Sequence, residues 1–272
     1  MKATRDGFGD QLVISGKDNP NIVGLNADLG KATKINKFGE VYPDRFFEMG
    51  IAENNMVGVA SGMSEYGYKV FLASFASFLT GKYDTIRCSI AYSNSPCVIV
   101  GTHCGMAIGK DGVTQMGLED ISLMRSLPGM TVLNPSTYNQ TKSVVKWLCD
   151  NDLKNPYYLR LGRQPVGEFY NEDDKFELGK GIVHKEAEGS WQEHNVVFST
   201  GCVLPDVLEA TKDMNITVID MPTIKPLDKE VIKNRIGVND IFPESGVPAD
   251  LYEKYGLSAN KIKEKISNEL GK

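Results

Sequence analysis

The sequence predicts an α/β protein: a mainly parallel sheet with helices on both faces, followed by a smaller α/β unit. Short strand-like runs alternate with longer segments of helical spacing. Some of these runs, such as Cys97-Val98-Ile99-Val100, are apolar throughout, which suits strands covered on both sides. Turn residues break the alternation, Pro128-Gly129 most clearly. Repeated strand–helix units imply parallel pairing.

Residues 5–15 read as a helix, and 21–26 as a buried strand ending at Asp28-Leu29-Gly30. Phe46-Phe47 is a strand leading into Gly50. Beyond Glu53, apolar residues recur at Met56, Val57, Ala60 and Met63, one face of a helix. Residues 69–73 form the next strand, followed by a helix through Phe75, Phe78, Ile86 and Ala91. The apolar strand 97–100 gives way to polar loop residues from 102 to 114. A helix covers 118–127, Thr131-Val132-Leu133 is a strand, and Ser136 caps a helix running to Cys149. Residues 157–160 are the last strand of this sheet. The acidic stretch 167–174 reads as a linker. The second unit has its clearest strands at 195–199 and 215–219, and an amphipathic helix over 261–270. These boundaries divide the chain into domains at 1–166 and 179–272, with a linker at 167–178.

A chain of 272 residues with 41% hydrophobic content suits two modest domains. A net charge of −5 argues against nucleic-acid binding. No apolar run reaches the length of a membrane span. The start, Met1-Lys2-Ala3-Thr4-Arg5-Asp6, lacks the apolar segment of a secretory signal. Five scattered cysteines without CxxC spacing read as small buried hydrophobes. The expected location is the reducing cytoplasm.

Ligands of such sheets bind beyond the carboxyl ends of the strands. Asp28, Glu53, His103, Asp111 and Arg163 lie there. Glu53 stands at the mouth of an apolar helix, where a buried carboxylate is costly. It either satisfies free N–H groups and the helix dipole, or is kept for chemistry.

Several segments, in their order and spacing, resemble the C-terminal half of transketolase. They are Pro43-Asp44-Arg45-Phe46 with Gly50-Ile51-Ala52-Glu53-Asn54-Asn55-Met56, Ala73-Ser74-Phe75-Ala76-Ser77-Phe78, Thr102-His103-Cys104-Gly105, and Gly109-Lys110-Asp111-Gly112-Val113-Thr114-Gln115-Met116-Gly117-Leu118-Glu119-Asp120. In the smaller domain, Pro222-Thr223-Ile224-Lys225-Pro226-Leu227-Asp228 and Arg235-Ile236-Gly237-Val238-Asn239-Asp240 resemble it too. The resemblance runs from Ala3 to the end. The run around Asp111 favours transketolase over the β-subunit of pyruvate dehydrogenase.

The resemblance implies thiamine diphosphate chemistry. Glu53 would hydrogen-bond the aminopyrimidine ring nitrogen and favour the imino tautomer. Phe75 and Phe78 would form the aromatic wall behind the pyrimidine, with Asp28 near the cofactor. His103 would bind the sugar phosphate and take part in catalysis. Asp111 would contact a substrate hydroxyl, Gln115 would stand where many members have histidine, and Arg5 and Arg163 would bind phosphate. Arg160 is expected to be structural, because strand alternation turns it away from Arg163's side. His184 and His194 have no match and are expected at the surface.

The resemblance also shows departures. The family's Gly-Asp-Gly…Asn segment is absent from this sequence, so the diphosphate and its Mg²⁺ or Ca²⁺ would be held by a separate N-terminal subunit in an α2β2 assembly. Ala32 replaces an expected phosphate-contacting serine; Thr33 could substitute, or the substrate could carry a different anionic tail. Asn234 runs directly into Arg235, where about 30 to 40 residues, a βα unit, are expected; a natural deletion and an omitted segment both explain this. The expected activity is ketol transfer between sugar phosphates. The rivals are a deoxyxylulose-phosphate synthase-like or 2-oxo acid dehydrogenase β-subunit-like enzyme, and a non-catalytic assembly or regulatory paralogue.

Overall fold

The computed structural model describes residues 1–188 and 195–231, with Lys261 and Glu264. The chain forms two compact units, Met1–Leu227 and Asp228–Lys272. In the second, the Asp228 carboxylate accepts bonds from the Glu230 and Val231 N–H groups at 3.0 and 3.2 Å. The helix expected over 261–270 and the junction after Asn234 lie outside the described residues, apart from Lys261 and Glu264, which are helical.

In chain order the first unit runs β1 (Lys2–Ala3), α1 (Thr4–Asp18), β2 (Ile22–Asn26), α2 (Gly30–Thr33), α3 (Asn36–Val41), β3 (Phe46–Glu48), α4 (Glu53–Glu65), β4 (Lys69–Phe75), α5 (Ala76–Thr80), α6 (Tyr83–Thr85) and β5 (Val98–Thr102). It continues with α7 (Asp120–Ser126), β6 (Thr131–Leu133), α8 (Tyr138–Asp150), β7 (Tyr157–Arg160), β8 (Pro165–Val166), β9 (Ile182–Lys185), β10 (Asn195–Ser199), α9 (Leu204–Ala210), β11 (Ile216–Asp220) and β12 (Thr223–Lys225). Seven strands make one sheet in the order β12-β6-β7-β5-β4-β2-β3. All pair in parallel except β12, which closes the β6 edge antiparallel.

Successive side chains of a strand face opposite ways, and both faces are covered here. Phe71, Val98 and Val100 pack against Phe8 and Leu12 of α1 and Val144 and Leu148 of α8. Val70, Leu72 and Ile99 pack against Met56, Val57 and Ala60 of α4 and Met124 of α7. That is why β2 and β5 are buried along their whole length, and why the sequence shows continuous apolar runs there.

Two local expectations are corrected. Phe75 is not in a helix. It is extended (φ −70°, ψ 143°) and pairs with Thr102, so the ladder to β5 carries the strand two residues beyond the expected 69–73. The helix expected through Ala91 is broken into α5, α6 and a wide turn at Ile86–Ala91, with the break at Gly81-Lys82. The cap of α8 is Thr137, whose Oγ1 accepts from Gln140 N–H at 3.3 Å. Ser136 instead donates to Asp220 at 2.7 Å, because that fully buried carboxylate needs donors.

The stretch read as a linker runs beside α8. Glu168 accepts from Asn139 N–H at 2.9 Å, Lys142 pairs with Glu172, and Ser143 Oγ donates to Asp174 O at 2.7 Å. It leads to a three-stranded sheet, β10-β11-β9, with Tyr170, Leu204 and Val218 as its core. Asp220, at the end of β11, also accepts from Gln140 Nε2 (2.9 Å) and Tyr170 Oη (2.6 Å). His184, expected at the surface, is half-buried. It packs edge-on against Tyr170 and lies 2.8 Å from its hydroxyl. Because Tyr170 gives its proton to Asp220, His184 donates from Nε2. His194 lies outside the described residues.

Candidate functional site

The carboxyl ends of β2, β3, β4, β5 and β7 carry the polar residues singled out in the sequence. Arg5 is placed by the first turn of α1, where Asp6 accepts from Ala3 N–H at 3.1 Å and β1 pairs with β8. Its Nη1 donates to the Ala32 carbonyl at 2.9 Å and to His103 Nε2 at 2.8 Å. Its Nε is buried with no partner among the described residues.

His103 follows the last residue of β5 in left-handed backbone conformation (φ 57°). Nδ1 lies 2.9 Å from Thr102 Oγ1. The imidazole rests on Phe75 with centroids 3.9 Å apart, and Phe75 stacks on Phe78 at 5.4 Å and 21°. Phe78, Phe75, His103 and Arg5 thus form one continuous row. Arg163, beyond β7, donates to Ile108 O at 2.5 Å and pairs with Asp111 at 3.6 Å. Burial first, then Arg5, Arg163 and Lys34, push the His103 pKa down to about 3. The imidazole is therefore neutral near pH 7, amid three cationic side chains. Burial also lowers the Arg5 pKa. This concentration of donors suits an anionic ligand.

The loop bearing Asp111 and Gln115 is closed at its base. Gly105 N–H donates to Gly117 O at 2.8 Å, and Ser77 Oγ donates to Gln115 O at 3.1 Å. A Cβ on Gly117 would lie 2.5 Å from that of Ala76, so only glycine fits there. Below the loop, Asp120 accepts from Arg160 Nε and Tyr158 Oη, each at 2.8 Å. Arg160 is a structural anchor, as strand alternation implied.

Glu53 opens α4 with 9% exposure. No hydrogen bond or ion pair to its carboxylate occurs among the described residues, so it is not occupied in capping its helix. Asp28, exposed at the end of β2, has φ 58°. Glu53 and Asp28 make no hydrogen bond or ion pair to His103 or Arg5 among the described residues; they share the sheet edge of the aromatic row. Of the four non-glycine residues with positive φ among the described residues, Asp28, Lys34 and His103 belong to this region. Such backbone strain gathers at functional sites.

Two findings alter the sequence reading. Thr33 does not replace the missing serine. It is fully buried and donates to Leu29 O in its own turn at 3.1 Å. Ala32 contributes its carbonyl to Arg5 instead. Glu48 was not singled out, yet it accepts from Asn26 Nδ2, from Asp28 N–H (2.8 Å) and from Gly50 N–H (2.9 Å). It ties the ends of β2 and β3 to the turn before Glu53. The available signal was a carboxylate two residues ahead of a glycine at a strand end, Gly50 having φ 68°.

Residues 1–168 match the family described as transketolase, pyrimidine binding domain. The chain is 33% identical over 314 residues to a transketolase C-terminal section of Methanocaldococcus jannaschii, covering 100% of this chain and 97% of that protein. Identity to a 6-deoxy-6-sulfo-D-fructose transketolase subunit of a Clostridium species is 29%, over 95% of this chain and 91% of that one. Identity to human transketolase is 34%, over 90% of this chain but only 41% of that one, so the chain spans less than half of the human protein. A solved split gene transketolase, an inactive beta4 tetramer, shares 35% identity, a TM-score of 0.77 and 98% coverage of each chain.

Proposed function

The chain belongs to the transketolase family, and we propose that it is the pyrimidine-binding and C-terminal subunit of a split, thiamine diphosphate-dependent transketolase. The reaction would move a two-carbon ketol unit from a ketose phosphate to an aldose phosphate. The observation that carries this reading is Glu53, only 9% exposed as a residue at the sheet's carboxyl edge, whose carboxylate has no partner among the described residues.

The residues present fit the pyrimidine half of the cofactor. An acid left without a protein partner at the mouth of an apolar helix is available to a ligand, and the stacked Phe75–Phe78 pair offers an aromatic wall. Thiamine diphosphate, when bound, supplies the means to break and form carbon–carbon bonds beside a carbonyl. Glu53 would hold a proton at the pyrimidine ring nitrogen, and Phe75 and Phe78 would fix the ring's plane. Stacking of this kind contributes about 0.5–1.5 kcal/mol beyond burial. Asp28 would border the same ring.

Arg5 and Arg163 would hold the anionic tail of the sugar, with His103 beside them holding the Arg5 guanidinium. Asp111 would accept from a substrate hydroxyl, and Gln115 would line the same loop. The diphosphate and its Mg²⁺ or Ca²⁺ would be held by the partner subunit. The relatives of more than twice this chain's aligned span, the separate C-terminal section and the split gene structure support a partner subunit, which would complete an α2β2 complex.

The test is reconstitution with a chain carrying the diphosphate-binding half. Ketol transfer from xylulose 5-phosphate, abolished by Glu53→Ala, is the expected result. Turnover of pyruvate instead would select the synthase- or dehydrogenase-like reading. A rate unchanged by Glu53→Ala would remove the acid from the reaction and leave an assembly role.

A further inference from the structure

At the carboxyl ends of β4 and β5 a chain of hydrogen bonds assigns each proton to one place. Arg5 Nη1 lies 2.8 Å from His103 Nε2. A guanidinium only donates, so Nε2 is the accepting nitrogen. The neutral ring then carries its proton on Nδ1, aimed at Thr102 Oγ1 2.9 Å away. Thr102 accepts that bond and turns its own hydroxyl proton to the Ser74 carbonyl, 3.4 Å away on β4. The other tautomer would set Nε2–H against an arginine N–H, donor facing donor, and leave Nδ1 as an acceptor.

The relay ends on backbone that cannot move independently. Thr102 is fully buried, and Ser74 pairs with Gly101 in the β4–β5 ladder. The Phe75 ring, 3.9 Å from the imidazole, limits its tilt. Stacking does not choose between a ring and its flipped form, nor between tautomers; a fixed polar partner at Nδ1 does.

We propose that Thr102 is a positioning residue: by way of the Ser74 carbonyl it locks His103 as the Nδ1–H tautomer, whose Nε2 lone pair, with the Ala32 carbonyl, holds the Arg5 guanidinium ready for the anionic tail of the sugar. The last step rests on the function proposed above; the tautomer assignment does not. It also gives the missing serine a consequence. With alanine at position 32, orientation of Arg5 rests on a backbone carbonyl and on a histidine whose acceptor is set by Thr102.

Two measurements test this. The full chain has three histidines, so the ¹⁵N shifts of the His103 ring, assigned with a His103→Gln control, read its tautomer at pH 7. The expected form is Nδ1–H in the wild type and in T102S, with loss of that single form in T102V. A wild-type ring found as Nε2–H, or doubly protonated, overturns the proposal whatever the enzyme does.

In the reconstituted complex, the readout is the ratio of KM for a phosphorylated ketose donor to KM for its phosphate-free counterpart. Loss of one buried hydrogen bond corresponds to a rise of about tenfold in that ratio for T102V, mainly in KM rather than kcat, with T102S restoring it. An unchanged ratio, or a fall in kcat alone, overturns the positioning role. A wild-type complex that does not use ketose phosphates defeats the functional reading and the role of Arg5, while the ring shifts still decide the tautomer.

Discussion

Glu53 opens α4, where the helix dipole favours an acid, yet its carboxylate makes no hydrogen bond among the described residues. Its helix would start as well with a short capping side chain, and its apolar neighbours Met56, Val57 and Ala60 need no acid beside them. Replacing it with glutamine keeps size and polarity but removes the shared proton. E53Q should lower kcat in the reconstituted enzyme by about 10²–10⁴-fold, with an unchanged circular-dichroism spectrum. A second prediction concerns His103. Its folded pKa of about 3 lies below the ordinary 6.5 because of burial and then Arg5, Arg163 and Lys34. Between those values the unfolded chain binds the extra proton. The stability tied to neutral His103 is therefore complete above about pH 6.5 and is lost as pH falls toward 3. In urea titrations over that window, H103Q should lose stability less steeply than the wild type; parallel slopes would clear His103 of acid sensitivity. Residue types at this site were legible because Glu53, Phe75 and His103 sit in ordered motifs beside recognisable strands. Their partners were not. The bond between Arg5 and His103 spans 98 positions of sequence, and nothing local signals it.

Among the elements, strands buried on both faces were the most legible, since a continuous apolar run has few other uses in a chain of this composition. Helix interruptions were least so. Phe75 and Phe78 have helical spacing, but the ladder between β4 and β5 claims Phe75 for the strand. Cap identity was misread for a related reason: Ser136 and Thr137 are equally good caps locally, and only buried Asp220, 84 residues away from Ser136, takes the serine. The loop from His103 to Gly117 also depends on an anchor distant in sequence. Asp120 is fully buried under it and joins α7 to Arg160 and Tyr158 of β7. Its Oδ1 accepts from no described residue, so the pair is not fully satisfied. Removing one member of a buried pair leaves the other charge stranded. D120A should therefore lower unfolding stability by about 3 kcal/mol, read as a lower urea midpoint. It should also weaken sugar binding by loosening the loop that bears Asp111, whereas a simple loss of stability would leave KM at its wild-type value in the folded fraction.

At the scale of the whole molecule, apolar side chains stand exposed along the same edge as the polar site. Ile51, in the turn before α4, is 83% exposed, and Met106 and Val113, in the loop beyond β5, are 77% and 70% exposed. Single exposed hydrophobes are ordinary, but these flank the residues that fit only half of a cofactor. The sequence offers no Gly-Asp-Gly…Asn segment for the other half, and no cluster suited to a metal occurs among the described residues. On the proposed function the same surface would have two tasks, to meet a partner and to close the cofactor's cleft, and the two should fail together. The isolated chain should show no stoichiometric uptake of thiamine diphosphate by calorimetry. Adding the subunit with the diphosphate half should restore it. Ile51 is 83% exposed and is not among the residues placed in the aromatic row or the basic cluster, so I51D tests assembly. It should shift the sedimentation profile toward free subunits and raise the partner concentration needed for half-maximal activity about tenfold or more, since a carboxylate buried unpaired at an interface costs at least 1–2 kcal/mol. Activity at saturating partner should recover. Tight cofactor binding by the chain alone, or an I51D complex that assembles normally, would show that the cleft closes in some other way.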